Sequence, residues 1–421
     1  MILLMALVLG LPQEASVILE LPIQGDAWVE QVRENVDESY TIKIVNIRNP
    51  YGGECTWTDM RDFDFLTVDP QGDTLGLTTH ASTDAHMLWD VLEMRDGEGY
   101  ILYADYRSIP DDMGEPNPDW YFSNTFPFST FEVTRISLDG DTVWTRMWDE
   151  DSVANGLTAK LLWDNSVLAL TEHRDEDGIR EAHLHRIDGT SGDILWEQVI
   201  PAWDGLYPYD MATNGYYLMV VHGVELNRHL LVDLEDGRIL RVDTLPAPES
   251  VHLAGTYPMS RSEMLVCRLG DYSQGQMHIA ALFGAGIADD RIWLGPSLSE
   301  LGLMELVYGA CHVDGSSWAM MGAVSYEDPT IVIALMDGLG TLMGSIELEG
   351  MTGIPDEDLL DWFEVDSRFR PTVEWGYRPV ESLQYTGDGR FVTGINNLVM
   401  LEGDEPMRCL LWVIEAVVPE A

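Results

Sequence analysis

The chain has 421 residues, with 23 Lys and Arg against 72 Asp and Glu, and its formal net charge is −49. This acidity excludes DNA and RNA as expected partners, because nucleic-acid affinity depends on basic residues that neutralise phosphates. Anionic membrane surfaces are disfavoured for the same reason. Hydrophobic residues make up 46% of the chain and aromatic residues 10%, which predicts a folded core rather than disorder.

The N-terminus begins with an apolar run, Ile2–Leu11, which has the length of a signal-peptide core and is too short to span a bilayer. The first basic residue is Arg33, so the usual basic segment before the run is missing, which indicates a truncated or misassigned start. We predict a signal peptide over residues 1–15 and a secreted, periplasmic or cell-envelope protein. A buried N-terminal strand is the alternative. No later segment is apolar enough to span a membrane.

A hairpin pattern recurs along the chain, in which two apolar strands flank a turn that contains Gly or Asp. The spacing between successive turns is close to 50 residues, except for one interval of 68 between Gly72 and Gly140. A second hairpin with a polar turn lies between successive copies in six places. Two hairpins per period predict four antiparallel strands, which is typical of a β-propeller blade. The aligned turn positions are Gly25, Gly72, Gly140, Gly192, Gly237, Asp290 and Gly340.

We therefore predict an all-β fold, a β-propeller of four-stranded antiparallel blades. Seven blades are favoured, six and eight are alternatives, and the repeat Tyr40–His80 is degenerate. The chain ends in a strand without a partner hairpin, and an apolar strand precedes the first repeat. We expect this N-terminal strand to complete the last blade, because such closure removes open sheet edges. Residues 16–421 are expected to form a single propeller domain with loop insertions at 108–128 and 350–378.

The segment Arg186–Trp196 reads RIDGTSGDILW, with Asp188 before the turn and Trp196 after it, and Val133–Trp144 repeats this pattern. These segments resemble the repeat of quinoprotein-type (PQQ-like) propellers, and the resemblance implies the fold. The alcohol-dehydrogenase type of that superfamily also implies an adjacent Cys-Cys pair, which this chain lacks. The negative charge disfavours the quinone cofactor, which carries three carboxylates. We expect the Trp rings to fill the space between adjacent blades.

The two insertions mix carboxylates with aromatic side chains. Loops on a rigid scaffold commonly carry binding sites, and aromatic rings beside carboxylates suit carbohydrate faces or cationic groups. The alternative is that the aromatic residues pin the loops to the propeller surface. The candidate ligand-binding residues are Asp111, Asp112, Trp120, Tyr121, Asp361, Trp362, Asp366, Trp375 and Tyr377.

The four cysteines form no CxxC pair, which argues against a zinc site of paired cysteines and leaves disulfides and free thiols as alternatives. They are Cys55, Cys267, Cys311 and Cys409.

Three patterns bear on metals and catalysis. Calcium is the cofactor alternative to none, but the acidic run Asp175–Gly178 does not complete an EF-hand. His183 and His185 face the same side of a strand, as two ligands or as a solvated or blade-packing pair. GxSxG, P-loop and GxGxxG motifs are absent. We assign no catalytic residue and no metal ligand.

These observations favour an exported, monomeric, non-catalytic propeller that binds or scaffolds a protein, glycan or cation. The alternatives are a propeller hydrolase, lyase or sulfotransferase-like enzyme with its site at the channel mouth, or a quinone-dependent dehydrogenase. An enzyme stays open because propeller sites assembled from several blades leave no local motif.

Overall fold

The computed structural model consists of β-strands and turns wherever it describes the chain, and none of its described elements is a helix able to cross a membrane. It describes residues 14–24, 27–48, 60–83, 86–107, 129–148, 153–174, 180–200, 208–213, 217–222, 228–244, 252–260, 263–269, 278–284, 291–293, 306–313, 317–323, 331–336, 342–348, 383–385, 390–399 and 408–417.

The chain divides into two compact units. The first comprises Met1–Asn46, Asp64–Thr78 and Pro248–Ala421, and the second comprises Ile47–Phe63 and Thr79–Ala247.

Twenty-eight strands are described. In chain order they are β1 (Glu14–Gln24), β2 (Ala27–Glu34), β3 (Tyr40–Arg48), β4 (Met60–Val68), β5 (Thr74–His80), β6 (His86–Glu93), β7 (Gly99–Arg107), β8 (Ser129–Ser137), β9 (Thr142–Trp148), β10 (Val153–Leu161), β11 (Val167–Arg174), β12 (Arg180–Ile187), β13 (Ile194–Ile200), β14 (Pro208–Thr213), β15 (Tyr217–His222), β16 (Arg228–Asp233), β17 (Ile239–Thr244), β18 (His252–Ser260), β19 (Glu263–Leu269), β20 (His278–Gly284), β21 (Arg291–Trp293), β22 (Leu306–His312), β23 (Trp318–Ala323), β24 (Ile331–Met336), β25 (Leu342–Leu348), β26 (Gln384–Tyr385), β27 (Arg390–Val399) and β28 (Arg408–Val417).

These strands form seven four-stranded sheets in the described part of the chain. Six sheets each take four consecutive strands, beginning at β2, β6, β10, β14, β18 and β22. The seventh has the order β1-β28-β27-β26, so the N-terminal strand joins the C-terminal hairpin. Its antiparallel register runs from the pair Glu14 and Val417 to the pair Gln24 and Arg408. The prediction of an all-β propeller with four-stranded antiparallel blades, closed by an N-terminal strand, is confirmed.

One of the predicted hairpins is wrong. The sequence from Val17 to Val32 looks like two strands around a Gly turn, but β1 pairs with β28 and β2 pairs with β3. A polar link between two apolar runs looks the same whether the runs pair with each other or enter different sheets. The repeat Tyr40–His80, which looked degenerate, supplies β3, β4 and β5 of a complete sheet, with Phe63 and Val68 buried.

Four of the predicted turn glycines lie in the described residues and have the backbone conformation that favours glycine. Gly72, Gly140, Gly192 and Gly237 have φ between 74° and 88°, in the left-handed region where a side chain is strained. Each of these glycines is adjacent in sequence to an Asp or a Gln. These glycines therefore set the tight connections between the third and fourth strands of their sheets.

Adjacent sheets of the second unit are joined by tryptophan rings. The Trp144 indole on β9 covers Gly192 in the next sheet, where an added Cβ would lie 2.7 Å from the ring. Its Nε1 donates a hydrogen bond to the Gly189 carbonyl over 2.9 Å. Trp196 on β13 repeats this contact, since its ring covers Gly237 and its Nε1 donates to the Leu234 carbonyl over 3.0 Å. The expectation that these rings fill the space between adjacent blades is confirmed in this unit.

An arginine reinforces each tryptophan. Arg135 lies directly across from Trp144, and its Nη1 donates to the same Gly189 carbonyl over 3.0 Å. Arg186 lies across from Trp196 and donates to the Leu234 carbonyl over 2.6 Å. Hydrogen bonds from charged donors are stronger than neutral ones, so each carbonyl holds two side chains of the preceding sheet.

Gly237→Ala should destabilise the protein more than Gly140→Ala. Both glycines have positive φ, so both substitutions carry a backbone cost of about 1 kcal/mol. Only at Gly237 would the new methyl group meet the Trp196 ring, which should add about 1–3 kcal/mol, whereas the space at Gly140 is open. Urea unfolding of the two variants checks this, and equal losses of unfolding free energy would contradict the Trp-on-Gly contact.

Turn aspartates accept hydrogen bonds from the backbone. The Asp188 carboxylate accepts from the N–H groups of Ser191 and Thr190, each over 2.8 Å. The Ser191 N–H, ahead of the opposing effect of burial, holds the pKa of Asp188 below its ordinary value of 3.8. The charged carboxylate therefore stabilises the turn.

Asp188→Asn should lower stability at neutral pH and leave it nearly unchanged in strong acid. Because the folded pKa is depressed, the charge contributes stability above pH 3.8, and this contribution is lost as the pH falls through the folded value. We expect a difference below about 1 kcal/mol at pH 7, since solvent screens this carboxylate. Unfolding of both proteins between pH 2 and pH 7 measures it. A difference that is independent of pH would show that the amide disturbs the turn for another reason.

Candidate metal centre

Two neighbouring strands of one sheet bring two imidazoles and a carboxylate together. His183 and His185 lie two residues apart on β12, and alternation along a strand places both on the same side of the sheet. Glu197 on β13 lies directly across from His185 in the antiparallel register. All three residues belong to the second unit.

The three side chains are close enough to share one cation. One ligand atom from each of His183, His185 and Glu197 lies within 4.8 Å of the others. His183 Nδ1 is 2.7 Å from Glu197 Oε1. The cluster combines a buried side with an open one, because His185 is 1% exposed and the Glu197 side chain is 45% exposed.

Each of the two imidazole rings also contacts residues outside the cluster. His183 Nε2 lies 3.5 Å from Glu181 Oε2, and His185 Nε2 lies 3.1 Å from the Thr171 hydroxyl on β11. The two imidazole planes are 22° apart. The His185 ring also packs against the Trp148 ring of β9 in the preceding sheet, with centroids 4.8 Å apart. The buried ligand is thus held on its own sheet and against the next one.

Two histidines and one glutamate form a donor set that suits divalent transition metals. Zn²⁺ with three protein ligands of this type keeps a fourth position for water, as in catalytic zinc sites. With metal–ligand bonds of about 2.1 Å, tetrahedral ligand atoms lie about 3.4 Å apart, so the side chains need only small shifts. Calcium prefers six to eight oxygen ligands, which makes this nitrogen-rich cluster a poor match for it.

The candidate ligand-binding residues of the two insertions lie outside the described residues. This holds for Asp111, Asp112, Trp120, Tyr121, Asp361, Trp362, Asp366, Trp375 and Tyr377. The acidic run Asp175–Gly178 lies outside them as well.

The structure shows the surroundings of the Cys311 side chain. It is a free thiol on β22, and burial raises its pKa to about 12, which makes it a poor nucleophile near neutral pH.

Sequence reasoning identified the histidine pair but missed Glu197. The signal was present in the hairpin LHRIDGTSGDILWEQVI, because pairing its two strands determines which residue faces His185. A register shift between Arg186 and Ile187 makes this pairing hard to derive by counting residues from the turn, since one extra residue moves every later partner.

No known protein family matches the sequence, and no curated protein matches it either. Solved structures do match. The acylaminoacyl peptidase of Pyrococcus horikoshii is 11% identical with a TM-score of 0.45, and the match covers 92% of this chain and 51% of that one. The β-propeller domain of the Trilobed protease from Pyrococcus furiosus is 8% identical with a TM-score of 0.46, covering 92% and 95%. Raptor of Chaetomium thermophilum is 8% identical with a TM-score of 0.47, covering 94% and 29%.

These comparisons correct one expectation. A non-catalytic binding or scaffolding module was favoured from the sequence, but the similar structures include peptidases and give that expectation no support. The chain spans about half the length of the acylaminoacyl peptidase that it matches. At 8–11% identity the likeness concerns the fold, and neither activity nor substrate passes from those proteins to this chain.

The protein should bind one Co²⁺ or Zn²⁺ per chain, and Glu197→Gln should weaken this binding at least about tenfold. The amide keeps the size of the side chain but removes the charge that a cation needs. Isothermal titration and the visible absorption of bound Co²⁺ measure affinity and ligand geometry. Glu235→Gln, which removes an exposed turn carboxylate from the neighbouring sheet, is the matched control and should bind normally. Equal affinity of both variants would refute this site.

Proposed function

We propose that this protein is a metal-dependent hydrolase that cleaves ester or amide bonds at the centre formed by His183, His185 and Glu197. The observation that supports the proposal is the gathering of two imidazoles and a carboxylate within 4.8 Å, with one side open. Three protein ligands with a free fourth position are the arrangement that catalytic zinc sites use. A bound divalent metal would supply a water of lowered pKa and would polarise a carbonyl group.

The chain's own residues have distinct tasks in this reaction. His185 and His183 would hold the metal through ring nitrogens, and Glu197 would provide an anionic oxygen that offsets part of the metal charge. The metal would supply a hydroxide for attack on the carbonyl carbon, with cleavage of the carbon–oxygen or carbon–nitrogen bond and a solvent proton for the leaving group. The exposed side of Glu197 leaves room for a substrate to approach.

The nearby acids limit the substrate. Glu181 lies beside His183 with a side chain that is 59% exposed, so it adds a negative charge next to the cluster. An anionic substrate such as a phosphate ester would be repelled, whereas neutral or cationic carbonyl compounds would not. We therefore place carboxylic esters and amides ahead of phosphate esters.

We further propose that the repeats are quinoprotein-like in detail. The Asp188 turn and the docking of Trp144 and Trp196 on turn glycines support this proposal, since these residues belong to the motif copies Val133–Trp144 and Arg186–Trp196. This proposal concerns the repeats and does not include a quinone cofactor. Export from the cytoplasm is likewise a proposal, supported by the apolar run Ile2–Leu11.

The hydrolase proposal predicts metal-dependent cleavage of chromogenic substrates. We expect protein loaded with Zn²⁺ or Co²⁺ to hydrolyse members of a panel of p-nitrophenyl esters and peptide p-nitroanilides, and chelation to abolish the activity. Glu197→Gln should lower kcat/KM at least about 100-fold, because the metal is lost or its charge is unbalanced.

The Glu235→Gln control should retain full activity in the same assay. Activity that survives in Glu197→Gln would place the chemistry elsewhere. A protein that binds the metal but cleaves no member of the panel would overturn the hydrolase proposal while leaving the metal centre intact.

A further inference from the structure

The Thr171 hydroxyl contacts Nε2 of the buried His185 ring. Thr171 is fully buried, and its Oγ1 donates to the His183 carbonyl over 3.3 Å. Because a hydroxyl has one hydrogen, this bond leaves Oγ1 to accept in its 3.1 Å contact with His185 Nε2, whereas the other tautomer of His185 would have the hydroxyl donate to Nε2. In the first assignment His185 Nε2 is the donor. In a neutral imidazole this leaves the lone pair on Nδ1 as the one that a metal can bind.

His183, on the same strand, has different partners. Its Nε2 faces the Glu181 carboxylate over 3.5 Å, and its Nδ1 faces Glu197 over 2.7 Å. The two rings are nearly parallel, as expected for two residues that share a side of one strand. The His183 ring thus faces a carboxylate at each nitrogen, whereas the His185 ring faces a hydroxyl at Nε2.

We infer that Thr171 is a positioning residue of the proposed metal centre, and that His185 would bind the metal through Nδ1 while its Nε2 donates to Thr171 Oγ1. The inference rests on the proposed metal centre and deepens it. Thr171 does not touch the metal; it fixes the tautomer and the ring orientation of His185, as outer partners of metal-bound histidines commonly do.

In the rival arrangement, His185 would bind the metal through Nε2 instead of Nδ1. If His185 bound the metal through Nε2, the cation would have to lie in the 3.1 Å contact that the Thr171 hydroxyl fills. Removing that hydroxyl would then make room and strengthen metal binding. The two arrangements therefore predict opposite effects of one substitution.

Thr171→Val and Thr171→Ser form the matched pair that tests the inference. Valine keeps the branched shape and removes the acceptor, so Co²⁺ affinity measured by titration should fall about 10–100-fold. Serine keeps the hydroxyl and should restore affinity to within about threefold of the wild-type protein. Thermal unfolding without metal shows whether each variant is folded.

A second readout reports the tautomer directly. Nitrogen-15 NMR of the metal-free protein should show His185 with hydrogen on Nε2, and Thr171→Val should lose this preference. Co²⁺ affinity of Thr171→Val equal to or above that of the wild-type protein, or hydrogen on Nδ1 of His185, would overturn the inference. Because neither measurement uses substrate, failure of the hydrolase proposal would be seen separately.

Discussion

The docking of a tryptophan ring on a turn glycine is the contact on which the second unit depends. A four-stranded sheet cannot bury both of its faces alone, so each sheet must pack against the next one. Trp144 and Trp196 make this packing specific, since each ring needs a glycine beneath it and a backbone carbonyl for its N–H. Arg135 and Arg186 add a second donor to the same carbonyls. Hydrophobic burial thus supplies the attraction, and the hydrogen bonds determine the alignment.

The same register that docks the sheets also brings together the residues of the proposed metal centre. Arg186 pairs with Trp196 across β12 and β13, and the adjacent pair is His185 with Glu197. Successive side chains point to opposite faces of a strand, so one pair meets the next sheet while the other meets Trp148 of the preceding sheet. A slip of one residue would move Trp196 and Glu197 to the opposite faces of the sheet and destroy both features. The structural contact therefore protects the geometry of the site.

Much of the fold could be predicted from the sequence because it depends on local patterns. Paired apolar runs, turns with Gly140, Gly192 or Gly237, and a period near 50 residues are each visible in a short window. Partner choice between distant strands is not local, which explains why the link from β1 to β2 was mistaken for a hairpin. For the same reason, only some residues of the site could be predicted from the sequence. His183 and His185 follow from alternation, whereas Glu197 and Thr171 depend on the register of two further strands.

The net charge of −49 affects which cation can use this site. Turn carboxylates such as Asp69, Asp188 and Asp233 accept backbone N–H groups, so part of the acidity serves hairpin geometry. Exposed carboxylates offer hard cations many weak positions over the surface, and none of these requires a nitrogen ligand. Imidazoles bind transition metals with a preference that oxygen ligands lack. In the described part of the chain two imidazoles and a carboxylate meet only around His183, and this contrast would direct a transition metal there even on a surface crowded with acids.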